Sequence, residues 1–109
     1  MSSRINRVNE LIRTSIAEII SREIETPPGV FLTVTKVDTT TDLRYTRVFV
    51  SVFPEKKFRK VMGFLQKKIY TIQGMLNKRL HMKPLPRIKF FFDNTEVEAD
   101  KIEKLLKKL

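Results

Sequence analysis

A chain of 109 residues with 22 Lys and Arg against 12 Asp and Glu has a formal net charge of +10, no Cys, no Trp and a single His. The length suits one domain, and the missing cysteines exclude a disulfide framework and any thiolate metal site. So large a charge on so small a body calls for a polyanionic partner, since neutralising phosphates with release of counterions gives affinity without catalytic apparatus.

No apolar run approaches the roughly 20 residues of a membrane span, and the opening Met1-Ser2-Ser3-Arg4-Ile5 passes straight into an amphipathic pattern with no signal peptide. Eight Phe and periodic apolar residues set the chain apart from disordered segments of similar charge. The expectation is a soluble, cytoplasmic, basic protein in which residues 1–109 form a single domain.

Ser3 is a candidate N-cap for a first helix over about residues 3–24. Ile5, Val8, Ile12, Ile16 and Ile19 recur three or four residues apart, and Leu11 and Ile20 widen the stripe. Thr26-Pro27-Pro28-Gly29 breaks the helix. Residues 30–38 are rich in β-branched side chains and form a first strand, 39–44 a polar loop, and 45–53 a second strand. In the latter, Thr46, Val48, Val50 and Val52 share one face and Arg47, Phe49, Ser51 and Phe53 the other, so the two runs make an antiparallel hairpin.

Pro54 closes that strand, and residues 56–81 are helical again, with Val61, Leu65, Ile69, Ile72, Leu76 and Leu80 on one face. Gly74 lies inside, which leaves one helix, or two with a kink, both open. Lys83-Pro84-Leu85-Pro86 ends the helix. Residues 87–93 form a third strand with Ile88, Phe90 and Phe92 inward and Arg87, Lys89 and Phe91 outward. Thr95 and Glu98 give a capping-box signal for a closing helix. It carries Ile102, Leu105, Leu106 and Leu109 on one side; Lys101, Lys104, Lys107 and Lys108 lie elsewhere and are expected to keep its outer face soluble, with RNA contact as the alternative. The order α-β-β-α(-α)-β-α describes an α+β fold with helices on one face of a three-stranded sheet.

Catalytic signals are scarce. His81 has no second imidazole or thiolate with which to share a metal, and reads as a helix-end residue. Asp38, Asp42 and Asp93 match no ion-binding loop and read as turn and strand-end residues. There is no Walker A or GxGxxG motif and no Ser/His/Asp arrangement. Neither a catalytic residue nor a metal or cofactor is expected, so the chain reads as non-enzymatic.

Several strings occur in a telling order. Thr33-Val34-Thr35-Lys36-Val37-Asp38, Asp42-Leu43, Tyr45-Thr46-Arg47-Val48-Phe49-Val50-Ser51 and Pro86-Arg87-Ile88-Lys89-Phe90-Phe91-Phe92-Asp93 lie between an opening Arg4-Ile5-Asn6-Arg7-Val8 and a closing Ile102-Glu103-Lys104-Leu105-Leu106. Together with the element order, they resemble the ribosome-binding factor A family of bacterial proteins over nearly the whole chain. Departures are Thr26-Pro27-Pro28 where the family commonly has Asp-Pro-Arg, Lys68-Ile69-Tyr70 at its usual Ala-x-Gly kink, Gln73 for its Arg, and Arg87 for the Glu of its third strand.

The resemblance implies a type II KH-like fold. It also implies a factor that binds precursor 16S rRNA in the immature 30S subunit near the decoding region, assists rRNA processing and folding, and leaves. Such factors support growth in the cold. The implied partner is the small ribosomal subunit, with no small-molecule substrate and no membrane, and a monomer is the expected state.

KH-like domains hold nucleic acid across the junction of two helices and an adjoining strand, where ordinary members use a Gly-rich clamp; this chain has no GxxG. Near the implied junction lie Lys67, Lys68, Lys78, Arg79, Lys83, Arg87 and Lys89. As phosphate contacts they would give affinity with little sequence choice; the alternative is a solvated helix face. Lys56, Lys57, Arg59 and Lys60 form the densest basic run, at a helix N-terminus where cations are poorly placed against the macrodipole. An incoming phosphate and a solvated corner are both open there. Phe49 and Phe91 project outward beside Arg47 and Lys89. They suit stacking on unpaired bases, although cover by the closing helix or another part of the chain is the expected arrangement.

Two other readings compete with the assembly factor. One is a general KH-like RNA-binding module without a ribosomal role. The other is a basic amphipathic protein on anionic membranes, disfavoured because the strands need the helical stripes as cover and because Trp is absent.

Overall fold

In the computed structural model, which describes residues 2–83 and 85–94, the elements are α1 (Ser2–Glu23), β1 (Phe31–Thr39), β2 (Tyr45–Phe53), a 3-10 turn (Glu55–Lys57), α2 (Phe58–Arg79) and β3 (Arg87–Phe92). β2 has both of its expected ends. β1 is displaced by one residue and β3 stops one short. The expected closing helix and its capping box lie outside the described residues.

The question left open at Gly74 resolves as a single unbroken helix. Val61, Leu65, Ile72 and Leu76 are buried along it. Successive turns pressed onto the sheet outweigh the roughly 1 kcal/mol that a mid-helix glycine costs.

The sheet order is β1-β2-β3. β1 pairs antiparallel with β2, and β2 pairs parallel with β3, so α2 is the crossover that a parallel pair requires. Val34, Val37, Val48, Val50, Val52, Ile88 and Phe90 on the inner face meet Ile12, Ile16, Ile19 and Ile20 of α1 and the buried stripe of α2. Phe58 stacks on Phe92 at 4.5 Å and fixes the start of α2 to the end of β3. Two buried threonines, Thr39 and Thr46, satisfy each other through a 2.9 Å hydroxyl contact, as buried polar groups must.

A bulge interrupts the hairpin between Val34 and Lys36. It turns two successive residues, Thr35 and Lys36, outward, so Val34 and Val37 both reach the core although three residues apart. In the connecting loop, Asp42 accepts from the Thr40 hydroxyl at 2.6 Å and the Arg44 amide at 3.1 Å, while Leu43 sits at φ 61°. Both described helices cover the inner face of the sheet. Among the described residues, no helix is long and apolar enough to cross a membrane.

Candidate nucleic-acid interface

Charge is divided between the two halves of the structure. α1 mixes Arg4, Arg7, Arg13 and Arg22 with Glu10, Glu18 and Glu23. α2 and β3 carry Arg59, Lys60, Lys67, Lys68, Lys78, Arg79, Arg87 and Lys89 and no carboxylate. Every cation expected from the sequence to contact RNA therefore lies within residues 54–92, where the only acid is Glu55.

Among the described residues, Arg79 alone of these eleven forms an ion pair, donating to Glu18 at 2.7 Å. That hydrogen bond, reinforced by the guanidinium charge, holds the Glu18 carboxyl below the usual glutamate range. The other ion pairs, Arg13–Glu10, Arg44–Asp42 and Arg47–Asp38, involve none of the eleven.

Helical geometry then sorts the α2 set. At about 100° per residue, Lys60, Lys67 and Lys78 fall in one stripe, and Gln66, Ile69, Tyr70 and Gln73 in the neighbouring stripe that faces β3. Lys68 and Arg79 fall toward α1, consistent with the Arg79–Glu18 bridge. Lys56 and Arg59 are exposed at the start of α2. Lys57 turns back, its Nζ 3.7 Å from where a Cβ would stand on Gly29. Lys83 is exposed in the connector beyond the other end. A 22-residue helix is about 33 Å long, so these cations line a track rather than converge on one phosphate.

Beside the track is a groove of about 540 Å³ between α2 and β3, the edge strand of the sheet among the described residues. Gln66, Ile69, Tyr70 and Gln73 form its helical wall; Tyr45, Arg47, Arg87, Lys89 and Phe91 line the strand side. Tyr70 is 88% exposed and Tyr45 55%, large side chains that the core does not use.

Gln73 fixes the geometry. Its Oε1 accepts from the Ile88 amide at 2.8 Å, and its Nε2 donates to the Pro86 carbonyl at 3.2 Å and to Asn77 Oδ1 at 3.0 Å. One side-chain amide thus stands in for a neighbouring strand at the β3 edge. Of the expected residues, Arg87 and Lys89 reach the groove, and Lys60, Lys67 and Lys78 flank it. Tyr45, Tyr70 and Gln66 are additions that sequence reasoning missed. The i, i+3, i+4, i+7 spacing of 66, 69, 70 and 73 beside the apolar stripe was the available signal.

On the outer face of the sheet, Phe49 and Phe91 stack with centroids 5.6 Å apart. Lys36 Nζ lies 4.6 Å from the Phe49 ring centroid, Arg47 Cζ 5.8 Å from it, and Lys89 Nζ 5.8 Å from that of Phe91. Cover by the closing helix concerns residues outside those described. His81 is exposed beyond α2. Asp38, Asp42 and Asp93 engage Arg47, Thr40 and Thr35 respectively. Among the described residues, no cluster of His, Cys, Asp or Glu could hold a metal ion.

Comparison with known proteins gives one family. The sequence model described as Ribosome-binding factor A matches residues 4–106. A protein of that name from Halothermothrix orenii is 36% identical over 107 residues, 97% of this chain and 88% of the relative. The crystal structure of ribosome-binding factor A from Thermus thermophilus has a TM-score of 0.69 at 24% identity, covering 80% of this chain and 93% of that one. A homology model of the Thermus thermophilus protein, fitted into the map of its complex with the 30S subunit, scores 0.65 at 25% identity over 78% and 90% of the two chains.

Proposed function

The chain belongs to the ribosome-binding factor A family, and from that premise we propose that it is a non-enzymatic assembly factor that docks on the precursor 16S rRNA of immature 30S subunits in the cytoplasm. The observation that carries this reading is the segregation of charge: α2 and β3 bear eight cations and no carboxylate of their own, and among the described residues only Arg79 of that set is paired with one. A protein that needed cations only for solubility would have no cause to strip one face of acids. A footprint for phosphates does, because each neighbouring carboxylate would cancel a contact.

The geometry supports a division of labour. Lys60, Lys67 and Lys78 offer ammonium groups to successive phosphates along α2, and Arg87 and Lys89 do so from the strand side of the groove. Such contacts set position and affinity with little sequence choice. Tyr70 and Tyr45 offer ring faces to bases at the groove mouth. Binding one rRNA arrangement better than its alternatives moves the equilibrium toward that arrangement. Assistance to rRNA folding and processing then needs no covalent step, and its value would be greatest in the cold, where misfolded RNA arrangements persist.

The test is sedimentation of extracts at moderate salt. The protein should travel with immature small subunits, and purified small subunits should displace it from generic RNA. Absence from the immature particles would end the proposal. Displacement no better than by generic RNA would leave a general RNA-binding module in its place.

A further inference from the structure

We infer that the outer face of the sheet is a second RNA-contacting surface, on which unpaired bases stack against the Phe49–Phe91 pair. This rests on the RNA-binding reading above and extends it to the face of the sheet opposite α1 and α2.

Strand register builds the surface. Lys36, Phe49 and Phe91 are cross-strand neighbours in one row, and Asp38, Arg47 and Lys89 in the next. The bulge after Val34 is what brings Lys36 opposite Phe49. Without it the alternation of β1 would turn that lysine toward the core. Two stacked rings are thereby bordered by three cations, each within 5.8 Å of a ring centroid.

The chemistry matches single-stranded nucleic acid. Bases present π-faces to aromatic rings while the backbone runs past cations. A duplex buries those π-faces in its own stack and offers a flat sheet only its phosphates and groove edges. The surface is also continuous with the groove, since Arg47, Lys89 and Phe91 line both. A strand leaving the groove past the β3 edge would meet Phe91 first and Phe49 next. Arg47 is bonded to Asp38, whereas Lys36, which has no ion-pair partner among the described residues, can turn from the ring to a phosphate as a base arrives.

The test compares an unpaired RNA oligomer with a blunt RNA duplex of equal length, using the full chain and Phe49→Leu, a position on the outer face that does not line the groove. Leucine keeps apolar bulk and removes the π-face. Affinity for the unpaired RNA should fall about tenfold or more, while duplex affinity stays unchanged. Since the chain has no Trp, Phe49→Trp adds a reporter, outside the groove lining, whose emission unpaired RNA should quench and duplex should not. This keeps the question decidable if the leucine variant unfolds.

Unchanged affinity for both RNAs, or an unquenched reporter, overturns the inference. If Lys67→Glu with Lys78→Glu still weakens binding in that case, the proposed function stands without it. Self-association of the wild type that disappears in the leucine variant would assign the face to a second copy and also overturn it. A wild type that binds neither RNA removes the proposed function and this inference together.

Discussion

Replacement of Gln73 by Met separates the staple between α2 and β3 from ordinary packing. Methionine has similar length and fills the same half-buried space, so the packing cost is small. What disappears is the acceptor for the Ile88 amide at 2.8 Å and the donor to the Pro86 carbonyl at 3.2 Å. Each hydrogen bond contributes about 0.5–1.5 kcal/mol, and a donor left unsatisfied adds to the cost. Both groups are partly buried, so water recovers some of the loss, and about 1–3 kcal/mol in total is expected. For a chain of this size that lowers Tm by about 4–8 °C per kcal/mol.

Urea unfolding gives the energy, and amide exchange at Ile88 gives the cause. Gln73→Glu refines the test, since a carboxylate still accepts from the Ile88 amide but cannot donate to the Pro86 carbonyl. That variant should lose stability while Ile88 stays protected. RNA affinity should fall in both, because the β3 edge carries Arg87 and Lys89. The reasoning is refuted if Gln73→Met unfolds within about 0.5 kcal/mol of the wild type and Ile88 exchanges no faster.

Three other outcomes follow from the same geometry. Lys60→Glu, Lys67→Glu and Lys78→Glu combined should flatten the dependence of log K on log salt by about 0.7–0.9 per lost phosphate contact, as read by filter binding across a salt series. Lys68→Glu, on the α1 side of the helix, should flatten it less. Leu65 is fully buried, so Leu65→Ala should cost about 2–5 kcal/mol in urea unfolding. Arg79 lowers the folded-state titration of Glu18. The support from that pair is therefore present above the range of an unfolded glutamate and is lost as pH falls through the lower folded value. Carbon-detected NMR should show Glu18 titrating below the ordinary range in the wild type and returning to it in Arg79→Gln.

The element order was legible because each element announces itself locally. β2 alternates Thr46, Val48, Val50 and Val52 against Arg47, Phe49, Ser51 and Phe53, and its ends and faces agree with the structure. What was not legible depends on partners distant in sequence. Alternation along β1 says nothing of the bulge after Val34, because one extra residue changes no local propensity; its effect on Lys36 exists only against β2. Gln73 on its own reads as a helix-margin residue, and its role appears once the β3 backbone lies beside it. Basic clusters are plain in the chain, but 3.6 residues per turn scatters them. Lys67 and Lys68, adjacent in sequence, diverge around α2, and Arg79 is held by Glu18, 61 residues away. Density of cations along a chain therefore overstates how many can serve one surface.

Tyr70 offers the sharpest separation of function from stability. It occupies the last position of Lys68-Ile69-Tyr70, where the family resemblance predicts the Gly of an Ala-x-Gly kink, yet α2 passes through unbroken. Its ring is 88% exposed, and among the described residues its hydroxyl has no hydrogen-bond partner, so the fold derives almost nothing from it. Alanine is the better helix former by about 0.5 kcal/mol, so Tyr70→Ala should leave stability unchanged or slightly raised. The same substitution removes a ring from the groove mouth, where stacking contributes about 1–3 kcal/mol per base, and RNA affinity should drop at least severalfold. The Gln73 variants lose stability and affinity together; Tyr70→Ala should lose affinity alone. Unchanged affinity would place the RNA elsewhere than in the groove, and destabilisation beyond about 1 kcal/mol would mean that the ring packs against something in the folded chain.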